Sequence, residues 1–341
     1  MRRADLLRAE DVRVSVTERD PALIDAAASE PAPPELLEPR EVPLGGPRAM
    51  RVQRTLPQRS RSLIGAWCFL DHYGPDDLSE RGGMQVPGHP HTGLATVTWL
   101  FEGEVEHRDT TGAAVVVRPG EVNLMTAGRG VAHSEFSVGG TTVIHGAQLW
   151  FALPAGLADG ARSFEHAVPE VRRIAGAEVR VFVGDWLGST GAPHAPTPLI
   201  GAEVRLLPGL RWEAAVDPGH ELGVLVDSGE VVVEGLSAPR SHLVALSPGR
   251  SSLTIEAGPD GARVLVLAGE PFPDPITMWW NFVGRDHDDI VAARAAWQEQ
   301  VEQERATGAA DGRFGPHPDA WDAVLPAPDL PTVRLKPRIR R

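Results

Sequence analysis

The sequence contains very little cysteine and very little lysine. Cys68 is the single cysteine among 341 residues, which excludes an internal disulfide and argues against a small secreted domain held by disulfides. Cys68 lies in the apolar run 64–70, so we expect an inert thiol packed in a core. Lys336 is the single lysine, and arginine therefore supplies nearly all of the positive charge.

Long hydrophobic runs and a positive net charge are missing as well. No stretch approaches the roughly 20 consecutive apolar residues of a membrane-spanning helix, and the charged residues 1–5 precede no apolar leader. The net charge of −13 disfavours a nucleic-acid-binding surface. We therefore expect a cytoplasmic monomer that binds neither a membrane nor nucleic acid directly. The basic residues at 334–341 are expected to form a solvated tail, with docking to an acidic partner as the alternative.

Helical periodicity is scarce, and the pattern that replaces it is typical of β-structure. From residue 51, short apolar runs alternate with glycine and proline at intervals of roughly ten residues, which predicts a β-sandwich or β-barrel. Two such blocks look like a weak internal repeat, since a Gly-Glu-Val turn opens a strand at 103–105 and again at 229–231. The clearest helix is predicted from about Asp288 to Val301.

These patterns predict an all-β fold class with two barrels and a few short helices. We expect an extended N-terminal arm over residues 1–45, where proline is frequent, and an N-terminal barrel over 46–155. A C-terminal barrel is expected over 156–285, followed by a helix and tail over 286–341.

Two clusters of histidine and glutamate carry the strongest chemical signal. His89 and His91 are two residues apart, as are His133 and Glu135, and residues two apart on a strand point to the same face. Two neighbouring strands would therefore aim three imidazoles and one carboxylate at one point. This donor set suits a transition metal such as Fe, Zn, Ni or Cu better than Ca or Mg.

A simpler interpretation makes His89 and His91 a solvated pair on a strand edge, because a His-x-His pair often arises by chance. The second cluster favours the metal site. The glycines that precede both clusters favour it too, because glycine lets the backbone bend so that the ligands converge.

The other histidines give weaker signals. His107 is a candidate acid–base residue, but its alternating strand favours a surface residue or a cross-strand partner. His72 is expected to be a hydrogen-bonded residue at the edge of the core. His145 and His166 carry no spacing signal. Four further residues are expected either to line a pocket or to pack in the core: Trp99, Met125, Gln148 and Trp150.

The arrangement of these motifs resembles the pirin family of the cupin superfamily. The resemblance extends over roughly residues 52–298 and is carried by the Gly-His-Pro-His-Thr-Gly run at 88–93 and by the Met-Thr-Ala-Gly-Arg-Gly and His-Ser-Glu motifs within 125–135. It implies a bicupin, in which two β-barrels lie face to face and one iron occupies the N-terminal barrel. The ligands that the resemblance implies are His89, His91, His133 and Glu135.

Two residues depart from the family pattern. Many pirins have arginine after the second histidine and glutamate three residues further on, where this chain has Thr92 and Ala95. If the strand is regular, Ala95 lies on the same face as His91, and the pocket lacks a carboxylate near the metal. The departure bears on the substrate and the partner surface and leaves the ligand set intact.

Three functions are open at this point. Some bacterial pirins act as quercetin dioxygenases, which implies an Fe(II) dioxygenase for a small flavonol-type substrate, with Glu135 as the catalytic base and Zn, Ni, Mn or Cu as alternative metals. Other pirins are described as redox sensors, transcriptional cofactors or partners of metabolic enzymes, which implies a non-catalytic protein with a protein partner. A metal-dependent isomerase or hydrolase is the third interpretation, since the cupin barrel hosts many chemistries.

Overall fold

The computed structural model describes residues 31–44, 50–79, 83–191, 195–308, 311–316 and 324–338. Residues 1–30 of the predicted arm lie outside these ranges, as do Arg340 and Arg341 of the basic tail. The described residues form 26 strands and one α-helix arranged around two barrels, which confirms the predicted all-β class.

Most of the chain consists of short strands joined by tight turns. The strands up to residue 167 are β1 (Glu35–Leu37), β2 (Arg40–Leu44), β3 (Met50–Leu56), β4 (Trp67–Asp77), β5 (Gln85–His91), β6 (Leu94–Glu102), β7 (Val105–Asp109), β8 (Ala114–Val117), β9 (Val122–Thr126), β10 (Val131–Ser137), β11 (Val143–Ala152) and β12 (Ser163–Ala167). The later elements are β13 (Arg172–Ile174), β14 (Ala177–Val183), β15 (Asp185–Trp186), β16 (Ser189–Thr190), β17 (Leu199–Leu206), β18 (Arg211–Ala215), β19 (Glu221–Ser228), β20 (Val231–Val233), β21 (Leu236–Ala238), β22 (Leu243–Leu246), β23 (Ser252–Ala257), β24 (Ala262–Gly269), β25 (Thr277–Trp279), β26 (Phe282–Gly284) and α1 (His287–Thr307).

The N-terminal barrel combines a seven-stranded sheet with a four-stranded sheet. The larger sheet has the order β12-β9-β6-β11-β4-β3-β2, and the smaller one has the order β5-β10-β7-β8. On β6, Ala95, Val97 and Trp99 pack into the apolar core, whereas Thr98 on the opposite face contacts polar side chains. This alternation places polar residues inside an otherwise apolar barrel.

The C-terminal barrel repeats this architecture. Its seven-stranded sheet has the order β1-β22-β19-β24-β17-β14-β13, and its four-stranded sheet has the order β18-β23-β20-β21. β1 comes from the predicted arm and pairs with β22, with Glu35 opposite Ala245. The next strand of the arm, β2, pairs with β3 of the N-terminal barrel, so the arm joins both barrels. β12 lies beyond residue 155 and pairs with β9, so the N-terminal barrel extends to residue 167.

The two barrels share one apolar core. Trp99 of β6 stacks on Phe182 of β14 with the ring centroids 4.7 Å apart, and its Nε1 donates to Glu203 at 2.8 Å. The polar atom of this buried indole is therefore satisfied. Cys68 lies in the same core, which confirms its predicted packing, and burial raises the pKa of its thiol to about 12.

A buried polar cluster links the barrels beside this core. Asp227 of β19 lies 2.8 Å from His72 Nε2 and 2.6 Å from His145 Nε2, and both histidines belong to the N-terminal barrel. Arg263 Nε donates to the same carboxylate at 2.5 Å. Ser241 lies 2.8 Å from His72 Nδ1. His72 is therefore a hydrogen-bonded core residue, as the sequence predicted, with partners from the other barrel.

α1 spans the predicted helix and continues beyond it. Asp286 caps its first turn by accepting hydrogen bonds from the backbone N–H groups of Asp288 and Asp289, and Gly308 ends it with φ 72°. Among the described residues, no helix is both long and apolar enough to cross a membrane. The buried apolar face of α1 consists of Ile290, Ala293, Trp297 and Val301.

The described C-terminal residues are anchored to the barrel and to α1, while Arg334 and Lys336 of the predicted solvated tail remain exposed. The backbone N–H of Leu325 donates to Gly88 O on β5 at 2.8 Å. Arg334 forms an ion pair with Asp288 of α1 at 2.9 Å. Residues 324–338, which we name the closing segment, therefore pack against the N-terminal barrel and α1. The sequence did not predict these contacts, because the partners are distant along the chain.

Candidate metal centre

Two antiparallel strands of the N-terminal barrel bring the predicted ligands together. His89 and His91 lie on β5, His133 and Glu135 lie on β10, and His133 pairs directly with His89. The register shifts after His133, so that Glu135 lies opposite Val86. A local irregularity of this kind re-aims a side chain. All four predicted ligands are buried and line the same cavity.

The imidazole rings are held so that their Nε2 atoms converge. His89 Nδ1 lies 2.9 Å from Pro87 O, and His91 Nδ1 lies 3.2 Å from Asn281 O. Because a carbonyl oxygen only accepts, each Nδ1 carries the proton and each Nε2 keeps a free lone pair. His91 Nε2 and His133 Nε2 are 3.1 Å apart. Each of the three rings offers a nitrogen within 4.8 Å of the other two.

This donor set fits a divalent metal ion. Two unprotonated ring nitrogens at 3.1 Å repel each other unless a cation or a proton lies between them. Burial lowers the pKa of His89 to about 4, and burial together with the neighbouring histidines lowers the pKa of His91 and of His133 well below the usual range. The rings are therefore neutral near pH 7, which is the form that binds a metal.

Glu135 lies beside the histidine cluster. A carboxylate oxygen of Glu135 is within 4.8 Å of ring nitrogens of His107 and His133, whereas the three predicted ligand histidines form a group of their own. Burial raises the pKa of the Glu135 carboxyl, and the nearby His107 and a hydrogen bond from Thr98 oppose this rise. The role of Glu135 as fourth ligand stays a prediction.

Asp109 is a site residue that the sequence interpretation missed, and His107 was there only a candidate acid–base residue. His107 is buried and pairs across the sheet with Glu135, so the predicted surface position is wrong and the cross-strand alternative is right. Its Nε2 lies 2.8 Å from Asp109 Oδ2, and its Nδ1 lies 3.3 Å from His133 Nδ1. The Asp109 carboxylate places the His107 proton on Nε2. His107 Nδ1 then accepts from His133 Nδ1, which leaves His133 Nε2 free for a metal.

The histidines form one end of a cavity of about 370 Å³. Phe69 and Trp150 stack in its wall with ring centroids 3.9 Å apart, and Trp150 meets His91 edge-on at 5.0 Å. The Arg54 guanidinium lies over Phe69 and is held by two 2.7 Å hydrogen bonds to Asp71. The other residues that line the cavity are Pro43, Val86, Gln148, Trp280, Asn281 and Leu325.

Only two of the four candidate pocket residues face this cavity. Gln148 and Trp150 line it, as β11 places them on the inner face. Trp99 packs between the barrels, and Met125 packs in a small cluster with Phe164. Strand parity therefore assigns Trp99 and Met125 to core packing, which was the alternative from the sequence.

Ala95 does not face the metal site, so the expected gap in the pocket is wrong. Ala95 is fully buried in the core shared by the barrels. The cause is Gly93, which has φ 66° and separates β5 from β6, so that parity is not carried from His91 to Ala95. Thr92 lies at the same turn and pairs with Phe282 of β26.

The chain matches two protein-family models. The model described as Pirin matches residues 49–151, and the model described as Pirin C-terminal cupin domain matches residues 201–302. The predicted ligands all lie within the first match.

Individual proteins resemble the chain over most of its length. A Pseudomonas aeruginosa protein named "Putative quercetin 2,3-dioxygenase" is 40% identical over 294 residues, which are 86% of this chain and 89% of that protein. A Caulobacter vibrioides protein named "Pirin-like protein" is 33% identical over 259 residues, which are 72% of this chain and 88% of that protein. The crystal structure of quercetin 2,3-dioxygenase from Acinetobacter baumannii matches with TM-score 0.81 at 37% identity and covers 89% of this chain and 97% of that one.

Proposed function

Because the chain belongs to the pirin family, we propose that it is a metal-dependent dioxygenase acting on a flavonol-type aromatic compound, with quercetin as the model substrate. The names of the Pseudomonas and Acinetobacter proteins support this proposal. The observation that carries it is the convergence of three buried, neutral imidazoles on a cavity walled by stacked aromatic rings.

The proposed metal is Fe(II), held through Nε2 of His89, His91 and His133, with Glu135 as a fourth ligand. When bound, Fe(II) supplies a Lewis-acidic centre capable of the one-electron chemistry that oxygen requires. Zn, Ni, Mn and Cu are alternative occupants, because affinity order and metal availability also decide which ion such nitrogen-rich donors hold.

The cavity walls suit a flat aromatic substrate. A volume of about 370 Å³ lies in the range of small-molecule sites. The aromatic side chains of Phe69 and Trp150 give this wall an apolar surface that suits a flat ring. Arg54 lines the same cavity, and its positive charge attracts a phenolic oxygen of the substrate.

Glu135 is the proposed base that takes the proton of the substrate hydroxyl. Burial raises the pKa of this carboxyl, which favours proton uptake by the carboxylate when it is not bound to the metal. The Thr98 hydroxyl lies 3.2 Å from Glu135 Oε1 and 3.0 Å from Gln148 Oε1. This row of polar groups holds Glu135 on the inner face of the barrel.

Metal content and oxygen uptake test the proposal together. We expect the wild-type protein to hold about one iron per chain and to consume oxygen when quercetin is added. His89→Ala should lose both properties because it removes a ligand nitrogen. Glu135→Gln should keep the metal and lower turnover by about 10²- to 10⁴-fold, because the amide is no longer a base. The matched control is Glu102→Gln, on the exposed end of β6, which should behave as wild type.

Each result has a separate meaning. Full turnover by Glu135→Gln contradicts the assignment of the base. Bound metal without oxygen uptake in the wild-type protein contradicts the dioxygenase and favours the non-catalytic role as a redox sensor or partner of another protein. Absence of metal contradicts the ligand set itself.

A further inference from the structure

The closing segment forms part of the wall of the metal-site cavity. Val324 pairs in parallel with Gly88, and the Leu325 N–H donates to Gly88 O at 2.8 Å, one residue before the predicted ligand His89. Leu325 lines the cavity. The match to the second family model ends at residue 302, so the closing segment lies outside both matched regions.

The anchors of the segment do not involve the Leu325 side chain. Trp297 Nε1 of α1 donates to Leu325 O at 2.8 Å, and the Trp297 side chain is fully buried. Arg294 Nε, also on α1, donates to Pro328 O at 2.6 Å. Both backbone polar groups of Leu325 are thus bonded to fixed elements of the barrel and the helix. A change of its side chain leaves these bonds in place.

Trp280 belongs to the same wall. It lines the cavity from the turn between β25 and β26, with φ 52°, a left-handed conformation that is uncommon for a bulky residue. The carbonyl of the next residue, Asn281, lies 3.2 Å from His91 Nδ1. The position of Trp280 is therefore tied to that of a ligand histidine. Strained backbone of this kind persists where the surrounding contacts determine it.

We infer that Leu325, together with Trp280, determines which aromatic compounds reach the ligand histidines. The wall cannot retreat without breaking the backbone bonds to Gly88 and Trp297, so its shape is set before the ligand arrives. Aromatic compounds without a bulky substituent beside Leu325 fit the cavity, and compounds with such a substituent are excluded. The inference rests on the proposed function for the choice of flavonols as ligands.

Three variants test the inference: Leu325→Ala, Leu325→Phe and, as control, Val333→Ala, which lies in the same segment and is 68% exposed. Binding of quercetin and of a quercetin glycoside is measured without oxygen, through quenching of tryptophan fluorescence. Leu325→Ala should tighten glycoside binding about tenfold or more, because removing a few carbon atoms from an apolar pocket makes room for a larger ligand. The same variant should change quercetin binding by less than about threefold. Leu325→Phe should weaken quercetin binding, and Val333→Ala should match wild type.

Removal of the bound metal gives a readout that needs no flavonol. Phenanthroline and bathophenanthroline share one chelating group and differ in bulk. Leu325→Ala should speed metal removal by the bulkier bathophenanthroline about tenfold more than metal removal by phenanthroline. Unchanged ligand selectivity and unchanged removal rates in both Leu325 variants overturn the inference. If the wild-type protein binds neither flavonol, the proposed substrate fails, and the removal rates still decide the role of the wall.

Discussion

At the scale of single residues, the predicted ligand histidines depend on hydrogen-bond acceptors that lie outside the proposed metal site. Two backbone carbonyls hold the Nδ1 atoms of His89 and His91, and the His107 ring holds that of His133. Each acceptor selects the tautomer in which Nε2 is free. Removing an acceptor therefore lowers the share of molecules that are ready to bind a metal.

His107 offers the sharpest test of this dependence. His107→Phe removes the acceptor for His133 and should weaken metal binding about 10- to 100-fold. His107→Gln should lose less, because the amide can still accept from His133 and donate to Asp109. Metal affinity is measured by competition with a chromophoric chelator.

The control for this prediction is Glu106→Gln. Glu106 is the neighbour of His107 on β7, and its half-buried carboxylate pairs with Arg108. This variant should bind the metal as tightly as wild type. Wild-type affinity in His107→Phe would show that His107 does not orient the ligand.

The sequence identifies site residues only where the decisive geometry is local. The pairs His89–His91 and His133–Glu135 could be found because a spacing of two is a property of any strand. The role of His107 depends on the register of β7 against β10, which places it opposite Glu135. Register between strands is a contact over distance, and no spacing rule in one sequence reveals it.

At the scale of elements, the turn between β5 and β6 determines which side chains of these strands face the proposed metal site. Gly93 forms this turn with φ 66°, and a Cβ atom there would lie 2.3 Å from Val283 O. The turn therefore needs glycine both for its conformation and for the close approach of β26. A larger residue has to displace either β26 or the end of β5, which carries His91.

Gly93→Ala should lower both stability and metal binding. The left-handed backbone alone costs about 1–2 kcal/mol for a residue with a Cβ atom, and the clash with Val283 adds to this cost. Gly112→Ala is the matched control, since Gly112 has φ 94° with no atom within 4 Å of an added Cβ. Thermal unfolding and metal content are compared for both. Equal losses in the two variants would mean that the approach of β26 does not matter.

Elements could be predicted where the pattern lies within the element. The Gly and Pro rhythm predicted strands, and the apolar spacing from Asp288 to Val301 predicted most of α1. The pairing of β1 could not be predicted from the sequence, because its partner β22 lies roughly 200 residues away. The closing segment was missed for the same reason, since Val324 pairs with Gly88.

At the scale of the whole molecule, the buried carboxylate of Asp227 joins the two barrels. Burial alone raises the pKa of Asp227, but the hydrogen bonds with His145 and His72 and the charge of Arg263 outweigh burial and hold this pKa far below the usual range. The carboxylate is therefore charged at neutral pH. Its partners come from both barrels, so the cluster stabilises their contact as well as each fold.

Asp227→Ala should cost up to about 3–5 kcal/mol of unfolding free energy, because it leaves the partly buried Arg263 and two buried histidines without their counter-charge. Urea unfolding followed by tryptophan fluorescence measures this cost. Asp260→Ala, at an exposed turn, is the control and should stay within about 0.5 kcal/mol of wild type. Equal unfolding midpoints for the two variants would show that the Asp227 cluster does not stabilise the protein.

The ribosome synthesises β1 long before its partner strand β22. Residue 35 pairs with residue 245, so at about 5–20 residues per second the two are synthesised roughly 10–40 s apart. β5 and β10, which carry the predicted ligands, are both complete within that interval. Leu325 leaves the ribosome only after every strand of both barrels has been made. On the nascent chain, the histidines of the site are therefore present before the wall that selects what reaches them.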